Sequence, residues 1–273
     1  MKFLFYCLFA LFNLLSPKDK GSRKIAAGVP FGPDPRQKLD IYAPVAAAAN
    51  RPVVLFIYGG AWTDGDRGNY GFAARAIAAL GYVTVVADHR TIPQIEYPAF
   101  IADGAAAFDW VAGHIAGYGG DATRVVLMGH SAGAYNAAML ALDPAYLAAR
   151  GLLDRVKGVV GLSGPYDFFP FDGPISLRVF GAVPDPRSTQ PIHLVSASAP
   201  PMFLGHGDKD ALVYPRNTVQ MARRLRALGV AVTEKLYAGL GHAHPVLALG
   251  RVLRKRAPVL ADVAAFLRQR LDG

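Results

Sequence analysis

The chain has 273 residues, 52% apolar and 18% charged, a composition that supplies a large core and excludes a disordered chain. That length exceeds the usual single domain of roughly 100–200 residues, but α/β folds commonly run longer as one unit. The net charge of +9 raises nucleic-acid binding as a reading; the basic residues are scattered, however, apart from Lys18, Lys20, Arg23 and Lys24 near one end and Arg251, Arg254, Lys255 and Arg256 near the other. No nucleic-acid-binding motif accompanies them, so no such partner is expected.

Residues Phe3 to Leu15 form an apolar run broken only by Asn13. It is shorter than the roughly 20 residues a membrane span needs. Lys2 is a minimal positive start for a signal peptide, but Leu14, Leu15, Ser16 and Pro17 fit a small-x-small cleavage site poorly. Residues 1–24 therefore read as an uncleaved segment touching a membrane surface, its basic end suited to anionic lipid. A removed signal and a helix packed on the protein's own surface are the alternatives. An exported or cytoplasmic protein is the corresponding alternative for localisation. A single cysteine, Cys7, excludes an internal disulfide and leaves the redox compartment open.

From Lys38 the pattern is regular. Val53–Tyr58, Tyr82–Ala87, Val125–Met128, Gly158–Leu162 and Met202–Leu204 are continuous apolar runs bounded by Gly, Pro or Asp. Such runs suit strands buried on both faces of a parallel sheet. Lys38–Ala43 alternates polar and apolar residues and reads as an edge strand; Val230–Tyr237 alternates too and reads as the last strand. Helical patterns lie between, at Gly71–Leu80, Ala99–Ala116, Ala132–Leu142, Pro215–Leu228 and Pro258–Leu271. Pro215 and Pro258 suit first-turn positions and Gly81 and Gly229 suit C-terminal caps. Strands alternating with helices predict a mostly parallel central sheet flanked by helices, an α/β domain over 25–273. The stretch 164–200 breaks the alternation. It is rich in proline and aromatic residues and too long for a plain turn, so it reads as a small cap insertion.

The chemistry begins at Val125-Val126-Leu127-Met128-Gly129-His130-Ser131-Ala132-Gly133, a strand, G-x-S-x-G and then an Ala-rich helix. A serine on a tight strand-to-helix turn exposes its hydroxyl, and the helix N-terminus directs positive potential at the place where an oxyanion forms. Upstream, Val53-Val54-Leu55-Phe56-Ile57-Tyr58-Gly59-Gly60-Ala61-Trp62 carries a strand into adjacent glycines. Acyl transfer needs backbone N–H groups aimed at the developing charge. The N–H of Ala132 and that of Gly60 or Ala61 are the candidate donors.

These motifs resemble the α/β-hydrolase superfamily, in its hormone-sensitive-lipase-like and carboxylesterase-like branch, which includes acetyl-xylan and feruloyl esterases and kynurenine formamidases. The resemblance runs over about 39–267. Asp88-His89-Arg90 is similar to that branch's D-Y-R, and Tyr97-Pro98-Ala99-Phe100-Ile101-Ala102-Asp103, Asp109-Trp110-Val111, Gly119-Gly120-Asp121 and Arg124 continue the match. Tyr58 departs from it, since the family usually has His before Gly-Gly. The resemblance implies an α/β-hydrolase fold, Ser131 as nucleophile and no cofactor or metal. Gly205-His206-Gly207-Asp208-Lys209-Asp210-Ala211-Leu212-Val213 resembles H-G-x-x-D-x-x-V, which puts the acid at Asp210, with Asp208 as competitor. Gly241-His242 matches the family's position for the base, with His244 as competitor, and gives the chain order Ser131, Asp210, His242. Trp62, Phe168 and Phe169 are candidate substrate contacts. The expected activity is a carboxylesterase for small acyl or aryl esters. Amide hydrolysis like that of the formamidases, and a non-catalytic binding protein on the same fold, are the alternatives.

Overall fold

The computed structural model describes residues 2–272, and the side chains of 8–272. Eight strands form one sheet: β1 (Ser22–Pro30), β2 (Lys38–Pro44), β3 (Arg51–Ile57), β4 (Val83–Ala87), β5 (Gly120–His130), β6 (Val156–Leu162), β7 (Met202–Gly207) and β8 (Val232–Tyr237). Their order is β1-β2-β4-β3-β5-β6-β7-β8. The pairs β1/β2 and β2/β4 are antiparallel and all others parallel. Among the described residues eight α-helices surround it: α1 (Lys2–Leu15), α2 (Gly71–Ala78), α3 (Ala99–His114), α4 (Ala132–Leu142), α5 (Pro174–Phe180), α6 (Arg216–Ala227), α7 (His244–Leu247) and α8 (Val259–Leu271).

The apolar runs behave as the sequence predicts. In β3 and β5, Val53, Leu55, Val125 and Leu127 face α3, α4 and α6, while Val54, Phe56, Val126 and Met128 face α2, α7 and α8. Alternate residues pointing to opposite faces, both covered, leave no position for a polar side chain.

One strand expectation is overturned. Lys38–Ala43 is not at the edge, because β1 pairs outside it and takes that place. The register of β1 shifts twice, between Lys24 and Ala26 and between Ala26 and Val29, and Gly28 has φ +65°. An irregular strand with half-exposed residues lacks the alternation that marks a strand in sequence. β1 also runs across residue 24, joining the N-terminal segment to the sheet. The segment 164–200 holds α5 and two 3₁₀ turns, Pro186–Thr189 and Pro191–Leu194. Pro215 and Pro258 stand at the residue before their helices rather than inside the first turn.

Candidate active site

All the singled-out residues follow the C-terminal ends of parallel strands, where ligands collect in open α/β sheets. β5 ends at His130 and α4 begins at Ala132, so the chain reverses on one residue, Ser131, at φ 55° and ψ −124°. A non-glycine residue there stores strain on the order of 1–3 kcal/mol. Its N–H donates to the Leu162 carbonyl (2.8 Å), which pins the turn. The flanking glycines are required sterically. A Cβ on Gly129 would stand 2.2 Å from the Gly133 carbonyl oxygen, and one on Gly133 2.0 Å from that of Ile57.

The Ser131 hydroxyl lies 2.8 Å from His242 Nε2, and His242 Nδ1 lies 2.7 Å from Asp210 Oδ2. A carboxylate only accepts, so Nδ1 carries the proton and Nε2 of the neutral ring is left to accept from the serine. Asp210 is held on every side. Its Oδ1 accepts from the N–H groups of Leu212 and Val213, both at 2.9 Å, and its Oδ2 accepts a second imidazole, His206 Nε2, at 2.9 Å. Burial alone would raise the Asp210 carboxyl. The hydrogen bonds from His206 and His242 outweigh it and hold the group well below the usual carboxylate range. Asp208 lies elsewhere, its Oδ1 accepting from Gly239 N–H (2.7 Å), and His244 accepts from Gly241 N–H through Nδ1 (3.2 Å).

The loop after β3 passes directly over the elbow. A Cβ on Gly59 would meet Ser131 Cβ at 2.9 Å. Gly60, Ala61 and Trp62 all have positive φ, at 149°, 52° and 57°. Among the described residues, neither the Gly60 nor the Ala61 N–H donates to a protein acceptor, and Ala132, first in its helix, has no intrahelical partner. N–H groups left without acceptors at such a turn can receive an anionic oxygen.

Tyr58 is fully buried, accepts a hydrogen bond from Arg36 Nη2 (3.2 Å) and stacks on His89 at 5.1 Å. The family's His and Tyr positions in this loop and in D-Y-R are thus occupied by Tyr58 and His89, which touch. Together they form a stacked aromatic pair beneath the loop. Arg90 closes the same region with a forked pair onto buried Asp103 (2.7–3.1 Å).

Trp62 is buried, donates to Asn136 Oδ1 (3.0 Å) and packs edge-on against Phe180 of the segment 164–200 (4.9 Å) and Tyr135 (5.2 Å). Phe168 joins this cluster, 5.3 Å from Phe180. Phe169 is 44% exposed and packs edge-on with Phe171 at 5.3 Å.

Two features carry no role in the motif reading. His206 is one; its Nε2 donates to Asp210 and to the Val213 carbonyl, and its Nδ1 accepts from Thr218 (2.8 Å). The rear of the elbow is the other. His130 Nε2 donates to the His242 carbonyl and its Nδ1 faces the Tyr70 hydroxyl, both at 3.3 Å, while Phe9 of α1 stacks on Tyr70 at 4.8 Å. The motif contained both histidines, but only tertiary contact discloses what they touch.

The BD-FAE family model matches residues 39–225, and the prolyl oligopeptidase family model matches residues 184–273. Esterase LipC of Mycobacterium tuberculosis is 31% identical over 88% of this chain and 64% of its own. Isoprenylcysteine alpha-carbonyl methylesterase ICME of Arabidopsis thaliana is 28% identical over 81% of this chain and 57% of its own. The chain thus spans about three fifths of the length of these relatives. A truncated carbohydrate esterase from gut microbiota superposes with a TM-score of 0.80 at 20% identity, over 94% of this chain and all of that one. The sheet order, the elbow and a family match over well more than half of the length agree, and the chain belongs to the BD-FAE family, with the α/β-hydrolase fold.

Proposed function

We propose that the protein is a serine carboxylesterase acting on small acyl or aryl esters. The unbroken hydrogen-bond series Ser131–His242–Asp210 at a strained elbow carries this reading. Ser131 attacks the ester carbonyl as its proton passes to His242 Nε2. The N–H of Ala132, with that of Gly60 or Ala61, stabilises the oxyanion. The imidazolium then protonates the departing alcohol, leaving an acyl-serine, and a water activated by the same imidazole releases the acid. Asp210, ionised throughout, holds the His242 tautomer. The names of LipC and ICME, both esterases, agree with this assignment. The aromatic cluster of Trp62, Phe168 and Phe180 bounds the acyl side and favours short chains, with Phe169 at its outer rim.

Hydrolysis of p-nitrophenyl esters of increasing acyl length, beside a formyl amide, tests the reading. Short esters should turn over fastest, and a fluorophosphonate should label Ser131. Faster turnover of the amide would move the protein to the formamidase class. Absence of turnover and of labelling would make it a binding protein.

No helix among the described residues is long and apolar enough to cross a membrane. Residues 1–24 are read as a peripheral contact. The outer leucines of α1 are exposed, and Lys18 and Lys20 follow them. Such a combination suits the surface of a bilayer.

A further inference from the structure

The two basic groups that are furthest apart in the sequence meet in the fold. Arg254 makes a forked pair with Asp19 (2.9 and 2.8 Å), and Arg251 reaches the Lys18 carbonyl (3.5 Å). Gly250 lies against the Phe12 ring, where a Cβ would be 2.8 Å from Cε1. The loop 250–256 is therefore seated on the C-terminal half of α1.

Helix α1 has two apolar sides. The inner side fixes it to the body: Phe9 on Tyr70, Phe12 on Phe72 (4.8 Å), and Asn13, which donates to the Gly68 carbonyl and accepts from Phe72 N–H, both at 2.8 Å. The outer side, Leu8, Leu11, Leu14 and Leu15, is 43–76% exposed, and Val252 of the adjoining loop is 55% exposed. The exposed basic residues Lys18 and Lys20 follow the helix, and Arg251, Lys255 and Arg256 are exposed in the loop that the Arg254–Asp19 pair joins to it. The one acid in the contact, Asp19, is already engaged by Arg254.

We propose that α1 and the loop 250–256 form one composite docking face for an anionic phospholipid bilayer, with α1 lying flat between the membrane and the protein body. The proposal rests on the peripheral reading of residues 1–24 and extends it. The C-terminal loop supplies part of the charge and one apolar residue, and the helix stays docked while it binds. Fourteen residues of helix are about 21 Å long, less than the roughly 30 Å hydrocarbon core, so a flat orientation is the one open to it. Exposed leucines accompanied by exposed cations match the chemistry of a bilayer surface, acyl chains and anionic headgroups together. A second copy of this face would bring two sets of cations together, which disfavours self-pairing. The Lys18 ammonium is already pulled down, by burial first and then by Arg75 and Lys24. An anionic surface relieves that crowding.

Co-sedimentation of the full chain with vesicles of phosphatidylcholine alone, and with part of it replaced by phosphatidylglycerol, tests the face. Turnover of a soluble p-nitrophenyl ester reports that each variant is folded. The parent should bind the anionic vesicles strongly and the neutral ones weakly. Combined Leu11→Ser and Leu15→Ser should abolish both. Combined Arg251→Gln, Lys255→Gln and Arg256→Gln should weaken anionic binding by about 100-fold, at roughly fivefold per basic residue, and leave neutral binding unchanged. If the leucine variant fails while the loop variant binds like the parent, α1 alone touches the membrane and the composite face is wrong. If the parent binds neither vesicle, the peripheral reading falls with it. A parent that is dimeric in sedimentation equilibrium, and monomeric as the leucine variant, would assign the face to self-association and overturn the proposal.

Discussion

Ser131 and His130 are consecutive, yet they work on opposite sides of the elbow. His242 touches both: its imidazole lies on the Ser131 hydroxyl and its carbonyl on His130 Nε2. In front, Asp210 and His206 complete a saturated polar series in which every donor has an acceptor. Behind, His130 is closed in by Tyr70, Phe9 and the Tyr58 loop, and burial followed by the charge of His242 takes its imidazole down to about 3. In the proposed mechanism the same residue type is thus a proton carrier on one side, while on the other burial favours the neutral ring of His130. Partners and burial, not identity, make the difference.

The sharpest way to break the comparison is to remove the front. Ser131→Ala should fold, since alanine fills the turn, and lose on the order of 10⁴–10⁶ in kcat, as triad removals do. Fluorophosphonate labelling should disappear with it, and residual labelling elsewhere would displace Ser131. Asp210→Asn should cost about 10⁴, because its amide would confront two imidazole donors and force His242 into the wrong tautomer. Asp208→Asn, at a hydrogen bond to Gly239, should cost little. The reverse ranking would give the acid role to Asp208.

His206 tests how far the front extends. It never meets substrate in the proposed mechanism, so its effect passes through Asp210. Losing a buried hydrogen bond of this kind costs about 1–3 kcal/mol, or roughly 5–150-fold in kcat if expressed fully at the transition state. His206→Leu should show that loss with KM nearly unchanged. His206→Gln, which can still donate, should recover much of it. Equal activity in both variants would reduce His206 to packing.

The cap supplies a smaller and graded test. Phe168→Ala opens a half-buried position beside Trp62 and should flatten the dependence of kcat/KM on acyl length. One methylene is worth about 1–3 kcal/mol in an apolar pocket, so the profile shifts by a chain position or two and does not vanish. Phe180→Ala removes a ring buried against Trp62 and Tyr135, and should lower stability by about 3–5 kcal/mol. An unaltered acyl profile in Phe168→Ala would take the cap out of the specificity argument.

What was legible in the sequence divides along the same line. The parallel strands are continuous apolar runs, and the elbow needs Gly129 and Gly133 for contacts shorter than any side chain permits, so both leave marks on the chain. The motif favours Asp210 over Asp208, and Asp210 begins a turn whose N–H groups clasp Oδ1. The edge strand β1 was hidden because bulges erase alternation. The rear wall was hidden because Phe9, Tyr70 and His130 are 61 and 60 residues apart in turn, and no local pattern announces such contacts. Tyr58 looked like a lone departure until the fold set it on His89.

The rear histidine can be tested without activity. An unfolded histidine titrates near 6.5, whereas native His130 is held near 3. Between those values the unfolded chain binds a proton that the native protein refuses. Stability is therefore complete above about 6.5 and is lost progressively as pH falls toward 3, at about 1.4 kcal/mol per unit once the unfolded imidazole is fully charged. Buried His89, lowered first by burial, contributes in the same direction. Asp210 does not confuse this window. Its folded value is depressed, so its contribution persists until the pH drops below the unfolded carboxylate range near 4. Urea unfolding between pH 7 and 4.5 should show a falling midpoint in the parent and a shallower fall in His130→Gln, which keeps a polar side chain and removes the titration. Parallel pH profiles in the two proteins would mean that His130 accepts its proton in the folded state, and the contrast between the two sides of the elbow would fail.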